Sequence, residues 1–109
     1  MLNRSAIIVR PAQPFMDWAA GLDDSGVLPD PAGEQTVYLV PELEDDYQGM
    51  RVLRRMWPVI FEAELEGWHT VEADWPKKRT FGMFRKWFAI EWHSVVEDLG
   101  DEPLVDEEV

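Results

Sequence analysis

Apolar positions along this chain change period several times, and each change marks an element. Residues 4–11, RSAIIVRP, form a compact β-branched run whose apolar side chains occupy both alternation faces, the pattern of a strand covered on two sides. The spacing predicts a first strand over about 5–10. In PFMDWAAGL, Phe15, Trp18, Ala19 and Leu22 recur at helical intervals, Pro14 suits a first helical turn and Gly21 supplies the stop, so a short helix follows. DDSGVLPDPAGE, residues 23–34, is dense in turn formers and reads as a loop. QTVYLVP predicts a second strand over about 35–40. Strand, helix and strand within some 36 residues match the size of a right-handed βαβ crossover, which implies parallel strands.

The longest helical pattern begins in ELEDDYQGMRVLRRMW. Acids stand where a helix N-terminus favours negative charge, Asp45 or Asp46 is the expected cap, and Met50, Leu53 and Trp57 share a face. Pro58 has no amide hydrogen and its ring opposes the carbonyl of Arg54, so a kink or restart is expected there. PVIFEAELEGW continues as a second helical piece that buries Ile60, Phe61 and Leu65, keeps Glu62, Glu64 and Glu66 mostly wet, and ends at Gly67. HTVEADWP is expected to be an ordered loop. A third helix starts at a Thr80 cap and carries Phe81, Phe84 and Phe88 at intervals of three and four.

From about Phe88, the segment AIEWHSVVEDLG supports two readings. A continued helix extends the apolar stripe through Trp92, Val95 and Leu99, whereas a strand alternates Ile90, Trp92 and Val96 against Glu91, His93, Val95 and Glu97. Two strands alone make a marginal sheet, and Ile90, Val95 and Val96 are β-branched, which favours a third strand over about 90–98. The expected fold is thus a small single α/β domain, with α+β as the alternative. It comprises a βαβ unit, a kinked helix pair, a third helix and a third strand over residues 1–99, followed by an acidic, flexible tail over 100–109.

Composition supports one core without staples: 109 residues, 46% hydrophobic and 29% charged. Cysteine is absent, which removes disulfides and thiolate chemistry. The apolar run 6–9 is too short for a signal-peptide core or a membrane span, no basic amphipathic face suits a lipid surface, and a cytoplasmic location without membrane contact is expected. The net charge of −12 opposes phosphate backbones and disfavours nucleic acid as a partner. Its distribution is uneven, however. Residues 51–86 hold eight bases and five acids, while 87–109 hold eight acids and no base.

The segment WPKKRTFGMFRKWFAIEWHS, residues 75–94, resembles the most characteristic part of a group of small bacterial proteins that carries no assigned activity. FEAELEGW and RPAQPFMDW extend the similarity. The resemblance implies a bacterial, cytoplasmic, single-domain protein and transfers no site residue.

Three groups of residues carry candidate chemistry. On a strand, Glu91, His93 and Glu97 share a face, and with Asp98 or a distant His69 an imidazole among carboxylates suits a divalent metal or an acid/base pair; the plainer alternative is a solvated sheet face. On a helix, Glu91 and His93 diverge by about 200° and the grouping dissolves. Ser94 beside His93 points to the opposite side of a strand and makes no nucleophile–base pair. The second group is the basic and aromatic block, Lys77, Lys78, Arg79, Arg85 and Lys86 among Trp75, Phe81, Phe84, Trp87 and Phe88. It has the alphabet of a single-stranded nucleic-acid platform, or more simply of core rings beneath a wet cationic face. That face suits an acidic protein partner or the chain's own tail, Asp101, Glu102, Asp106, Glu107 and Glu108. The third group is the six tryptophans, many for so small a core, of which Trp68 and Trp75 are the expected surface pair. Gly21, Gly26 and Gly33 lack the spacing of a phosphate-binding loop, and no cofactor is implied. The reading that follows is a non-enzymatic protein-binding or accessory module, engaging a protein partner or a second copy of itself. Its contact residues would be Trp68, Trp75, Lys77, Lys78, Arg79, Arg85, Lys86 and Trp87, with an acid/base or metal site at Glu91 and His93, or nucleic-acid binding through 75–88, as alternatives.

Overall fold

The computed structural model describes residues 1–107, and in them the chain forms three helices and one three-stranded sheet. The order is β1 (Arg4–Pro11), α1 (Gln13–Ala20), β2 (Thr36–Pro41), α2 (Asp46–Trp68), a 3-10 turn at Glu72–Asp74, α3 (Phe81–Trp87) and β3 (Phe88–His93). Strand order in the sheet is β2-β1-β3, with β1 in the centre. This is the small mixed α/β domain that the periodicities imply.

Strand direction differs from the expected crossover. β2 pairs antiparallel with β1, Val9 opposite Thr36 and Arg4 opposite Pro41, and β3 is antiparallel to β1 as well. The loop of residues 21–35 returns the chain to the end of β1 and not to its start, and β2 begins there, where Arg10 Nη2 donates to Gln35 Oε1 at 3.2 Å.

The two helical pieces expected around Pro58 are one uninterrupted helix, α2. The carbonyl left without a donor by Pro58 belongs to Arg54 on the exposed side, where water can satisfy it, while Leu53 and Ile60 anchor the core side across the break. Both caps form as their sequences suggest: Asp45 Oδ1 accepts from the Gln48 amide at 2.8 Å, and Thr80 Oγ1 accepts from the Met83 amide at 3.1 Å.

The ambiguous segment is a strand, but it begins earlier and ends sooner than expected. α3 passes into β3 with no intervening loop, at Trp87 and Phe88, and pairing stops at His93 opposite Ala6. Phe88, Ile90 and Trp92 turn inward and Ala89, Glu91 and His93 outward. Where the ladder ends, the buried Ser5 hydroxyl donates to the Ser94 carbonyl at 3.2 Å and accepts from the Leu43 amide at 2.8 Å. Val95 and Val96 lie beyond the strand, Val96 accepting from the Leu2 amide at 2.8 Å.

All helices pack on one face of the sheet. Ile7 and Val9 meet Leu53, Ile60, Phe61 and Leu65 of α2, Phe84 of α3, and Phe15, Trp75 and Phe88. The opposite face, with Ile8, Val37, Leu39 and Ala89, has no covering helix among the described residues, and Val37 and Leu39 are 58% and 49% exposed. The acidic segment from residue 100 has no regular secondary structure up to Glu107 and lies exposed; Glu108 falls outside the described residues.

Candidate functional site

The residues singled out from sequence are distributed unequally. In β3, Glu91 and His93 share the outward face, and His93 Nε2 lies 3.1 Å from Glu91 Oε2. Their proposed companions are elsewhere. Glu97 Oε2 pairs with the N-terminal amine at 2.9 Å, Asp98 Oδ1 accepts from the Gly100 amide, and His69 Nε2 contacts Asp74 Oδ2 at 2.8 Å beyond the end of α2. No three metal-capable side chains converge among the described residues. What remains on β3 is a half-exposed histidine–carboxylate pair on an open sheet.

The tryptophans follow a different logic from the expected surface pair. Trp75 is only 7% exposed and its indole donates to the His69 carbonyl at 2.7 Å. It belongs to the core cluster, and the Arg79 guanidinium lies over it, 5.9 Å from the ring centre, while pairing with Glu62 at 3.0 Å and donating to the Pro76 carbonyl. Trp18, Trp57, Trp68, Trp87 and Trp92 are half-buried against the core. Two of the six indoles donate to backbone: Trp18 reaches the Asp74 carbonyl at 3.0 Å and, with Trp75, ties down the loop that carries the 3-10 turn.

The basic block divides as well. Lys77 folds back on the Ala73 carbonyl at 3.0 Å, Lys78 sits in the left-handed region at φ 54°, and Arg79 is engaged as described. Arg85 and Lys86, on α3, belong to a second group with Arg51, Arg54 and Arg55, whose spacing places them on one side of α2. Arg54 lies 4.7 Å above the Phe81 ring, and Arg85 Nη1 reaches Met50 Sδ at 3.1 Å, so these cations bridge α2 and α3. None of them has a carboxylate within ion-pair distance among the described residues. Tyr47 and Val59, 73% and 68% exposed, lie four residues before Arg51 and four after Arg55, which makes one ridge of Tyr47, Arg51, Arg55 and Val59. Arg51 and Arg55 also line a recess of about 280 Å³ with Glu42, Leu43, Gln48 and Val52, on the side of α2 toward the segment that joins it to β2.

The chain's tail does not occupy this face. Asp106 and Glu107 instead reach a cavity between β2 and the last turns of α2. Within it Glu64 Oε2 accepts from the Tyr38 hydroxyl at 2.6 Å and from Thr36 Oγ1 at 2.9 Å. Burial raises the Glu64 carboxyl above its ordinary range against the opposing pull of those two donors, and burial followed by the nearby carboxylate raises the Tyr38 phenol. Sequence reasoning placed Glu64 with its wet neighbours and missed this site. The signal was present: Glu64 stands three and four residues after Phe61 and Ile60, on the edge of their buried stripe, and Thr36 and Tyr38 alternate with exposed Val37.

Comparison with protein-family models, with curated proteins and with solved structures finds no match to this chain.

Proposed function

We propose that the chain is a non-enzymatic, cytoplasmic protein-binding module that docks an acidic partner segment on the α2–α3 face. The observation that carries this reading is a set of cations on α2 and α3, Arg51, Arg54, Arg55, Arg85 and Lys86, none with a carboxylate within ion-pair distance among the described residues, on a chain whose net charge is −12. At physiological salt the Debye length is about 8 Å, so an approaching acidic segment responds to this local face and much less to distant carboxylates. Exposed Tyr47 beside the arginines adds the residue types that anchor interfaces.

Magnitudes favour a weak, salt-sensitive contact. Exposed charge pairs contribute about 0.2–1 kcal/mol each, so this group supplies a few kcal/mol, and apolar contact at Tyr47 and Val59 must carry affinity beyond the millimolar range. The rings of the basic block are turned into the core, and Arg54 covers Phe81, which argues against a base-stacking platform. The open sheet face offers about 300 Å², from three strands 4.8 Å apart, well short of the roughly 800 Å² per partner of a stable interface, which argues against it as the principal contact between copies.

The test is fluorescence-anisotropy titration of an acidic peptide containing apolar residues, beside a single-stranded oligonucleotide of equal charge. Saturable peptide binding that weakens with salt and is lost in the Arg51→Glu/Arg55→Glu protein supports the reading. Preferential binding of the oligonucleotide, or peptide binding indifferent to the charge reversal, overturns it.

A further inference from the structure

The cavity at the α2 C-terminal end is independent of the docking face and has its own chemistry. Its volume is about 840 Å³, within the range of small-molecule sites, and the half-buried rings of Tyr38 and Trp68 line it, with Phe15 buried at its base. Glu64 is the one carboxylate there that is half-buried and held in place. Two hydroxyl donors on Oε2 fix its orientation, while Oε1 accepts no hydrogen bond from the described residues. Glu34 and Glu66, also at the cavity, have no ion-pair partner among those residues, and no lysine or arginine lines the space.

We infer that this cavity binds a small organic cation, an ammonium group carried on an apolar body, with Glu64 as its counter-ion and Trp68 beside the apolar part. The chemistry is selective in both directions. An anion meets only carboxylates, and a neutral molecule of the same shape gains the aromatic contacts without the charge-assisted bond to Glu64 or the cation–π attraction of the rings. Tyr38 and Thr36 donate to the carboxylate, so they orient it and leave its free oxygen for the ligand. The room exceeds what the tip of a single lysine side chain fills, which favours a free molecule over a protein-borne ammonium.

The experiment uses the full chain, isotopically labelled, with phenethylammonium as the probe, 2-phenylethanol as its neutral analogue and 3-phenylpropionate as the anion. Nuclear magnetic resonance follows the Trp68 indole and the Thr36 and Tyr38 amides. Expected are saturating shifts for the cation, binding about tenfold weaker for the neutral analogue, and none for the anion. Glu64→Gln, which keeps an acceptor for Tyr38 and Thr36, should weaken the cation by about tenfold and bring it level with the neutral probe. Trp68→Leu should weaken it with the backbone spectrum otherwise preserved, and decides the matter if the Glu64 variant does not fold. Equal affinity for cation and neutral analogue, or no saturation up to about 10 mM, overturns the inference. Tighter binding of Nα-acetyl-lysine methylamide than of phenethylammonium overturns its small-molecule form and assigns the ammonium to a protein side chain.

Discussion

Gly49 offers a sharp test of how β3 sits. It lies in the first turns of α2, and a methyl group placed on it would stand 2.9 Å from Trp92 Cε3, 3.0 Å from Cζ3 and 3.2 Å from Cδ2. Carbon atoms pack best at about 3.5–4.0 Å, so the Trp92 ring or the helix must move by about 0.5 Å or more. At an unconstrained helical position Gly→Ala stabilises by about 1 kcal/mol through backbone entropy. Here overpacking costs about 1–3 kcal/mol, and the half-buried ring can retreat part of the way, so a net loss of about 1 kcal/mol is expected for Gly49→Ala. Urea unfolding followed by circular dichroism should show a lower midpoint with an unchanged slope, and the thermal midpoint should fall by about 4 °C. In a Trp92→Leu background the same substitution should stabilise by about 1 kcal/mol, a coupling of about 2 kcal/mol. If Gly49→Ala stabilises equally in both backgrounds, Trp92 does not pack on α2. The register that turns Trp92 inward and Glu91 and His93 outward then fails with it.

Other expectations follow from the same geometry. Ser5→Ala should cost about 1–3 kcal/mol in chemical denaturation, because it strips the Leu43 amide of its acceptor inside the core; a loss under 0.5 kcal/mol would refute that role. For Glu64 the folded carboxyl titrates above the unfolded one, so the stability tied to its protonated form is full below the unfolded value of about 4.3 and is lost as pH rises through the raised folded value. The difference in unfolding free energy between wild type and Glu64→Gln should therefore shift against the wild type across that window, and a pH-independent difference would refute it. Asp45→Ala should cost about 1 kcal/mol through the lost cap, measured by thermal denaturation, with no change as the sign that Gln48 holds the turn alone. Arg51→Glu/Arg55→Glu should leave the thermal midpoint within about 2 °C of wild type, since neither arginine has an ion pair to lose; a large drop would make these residues structural.

Much of the element list was legible along the chain because local chemistry writes it. β-branched runs marked β1 and β2, Asp45 and Thr80 announced their helices, and the spacing of Phe81 and Phe84 marked α3, although Phe88, expected on that helix, opens β3. AIEWHS was harder because both periods fit it. Pairing with β1 resolved it, since an edge of the central strand needed a partner and Phe88, Ile90 and Trp92 could bury one face. The alternation that made Glu91 and His93 neighbours was thus readable once the strand was chosen, whereas the separation of Glu97 and His69 was not, as the N-terminal amine and Asp74 reach them from outside the segment.

Local sequence indicated most of the helices and strands and where the caps stand, and it settled that the chain is acidic with a basic middle. Strand direction, the burial of Trp75, the unpaired arginine ridge and the cavity around Glu64 were settled in three dimensions. Each depends on distances between residues far apart in the chain: the return of the 21–35 loop to the end of β1, the guanidinium of Arg79 over an indole, the lack of a carboxylate within ion-pair distance of Arg51 and Arg55 among the described residues, and two hydroxyls of β2 meeting a carboxylate of α2. Periodicity reports which face of an element is apolar. What that face meets, and which charges are left unmatched, is decided only when the elements pack.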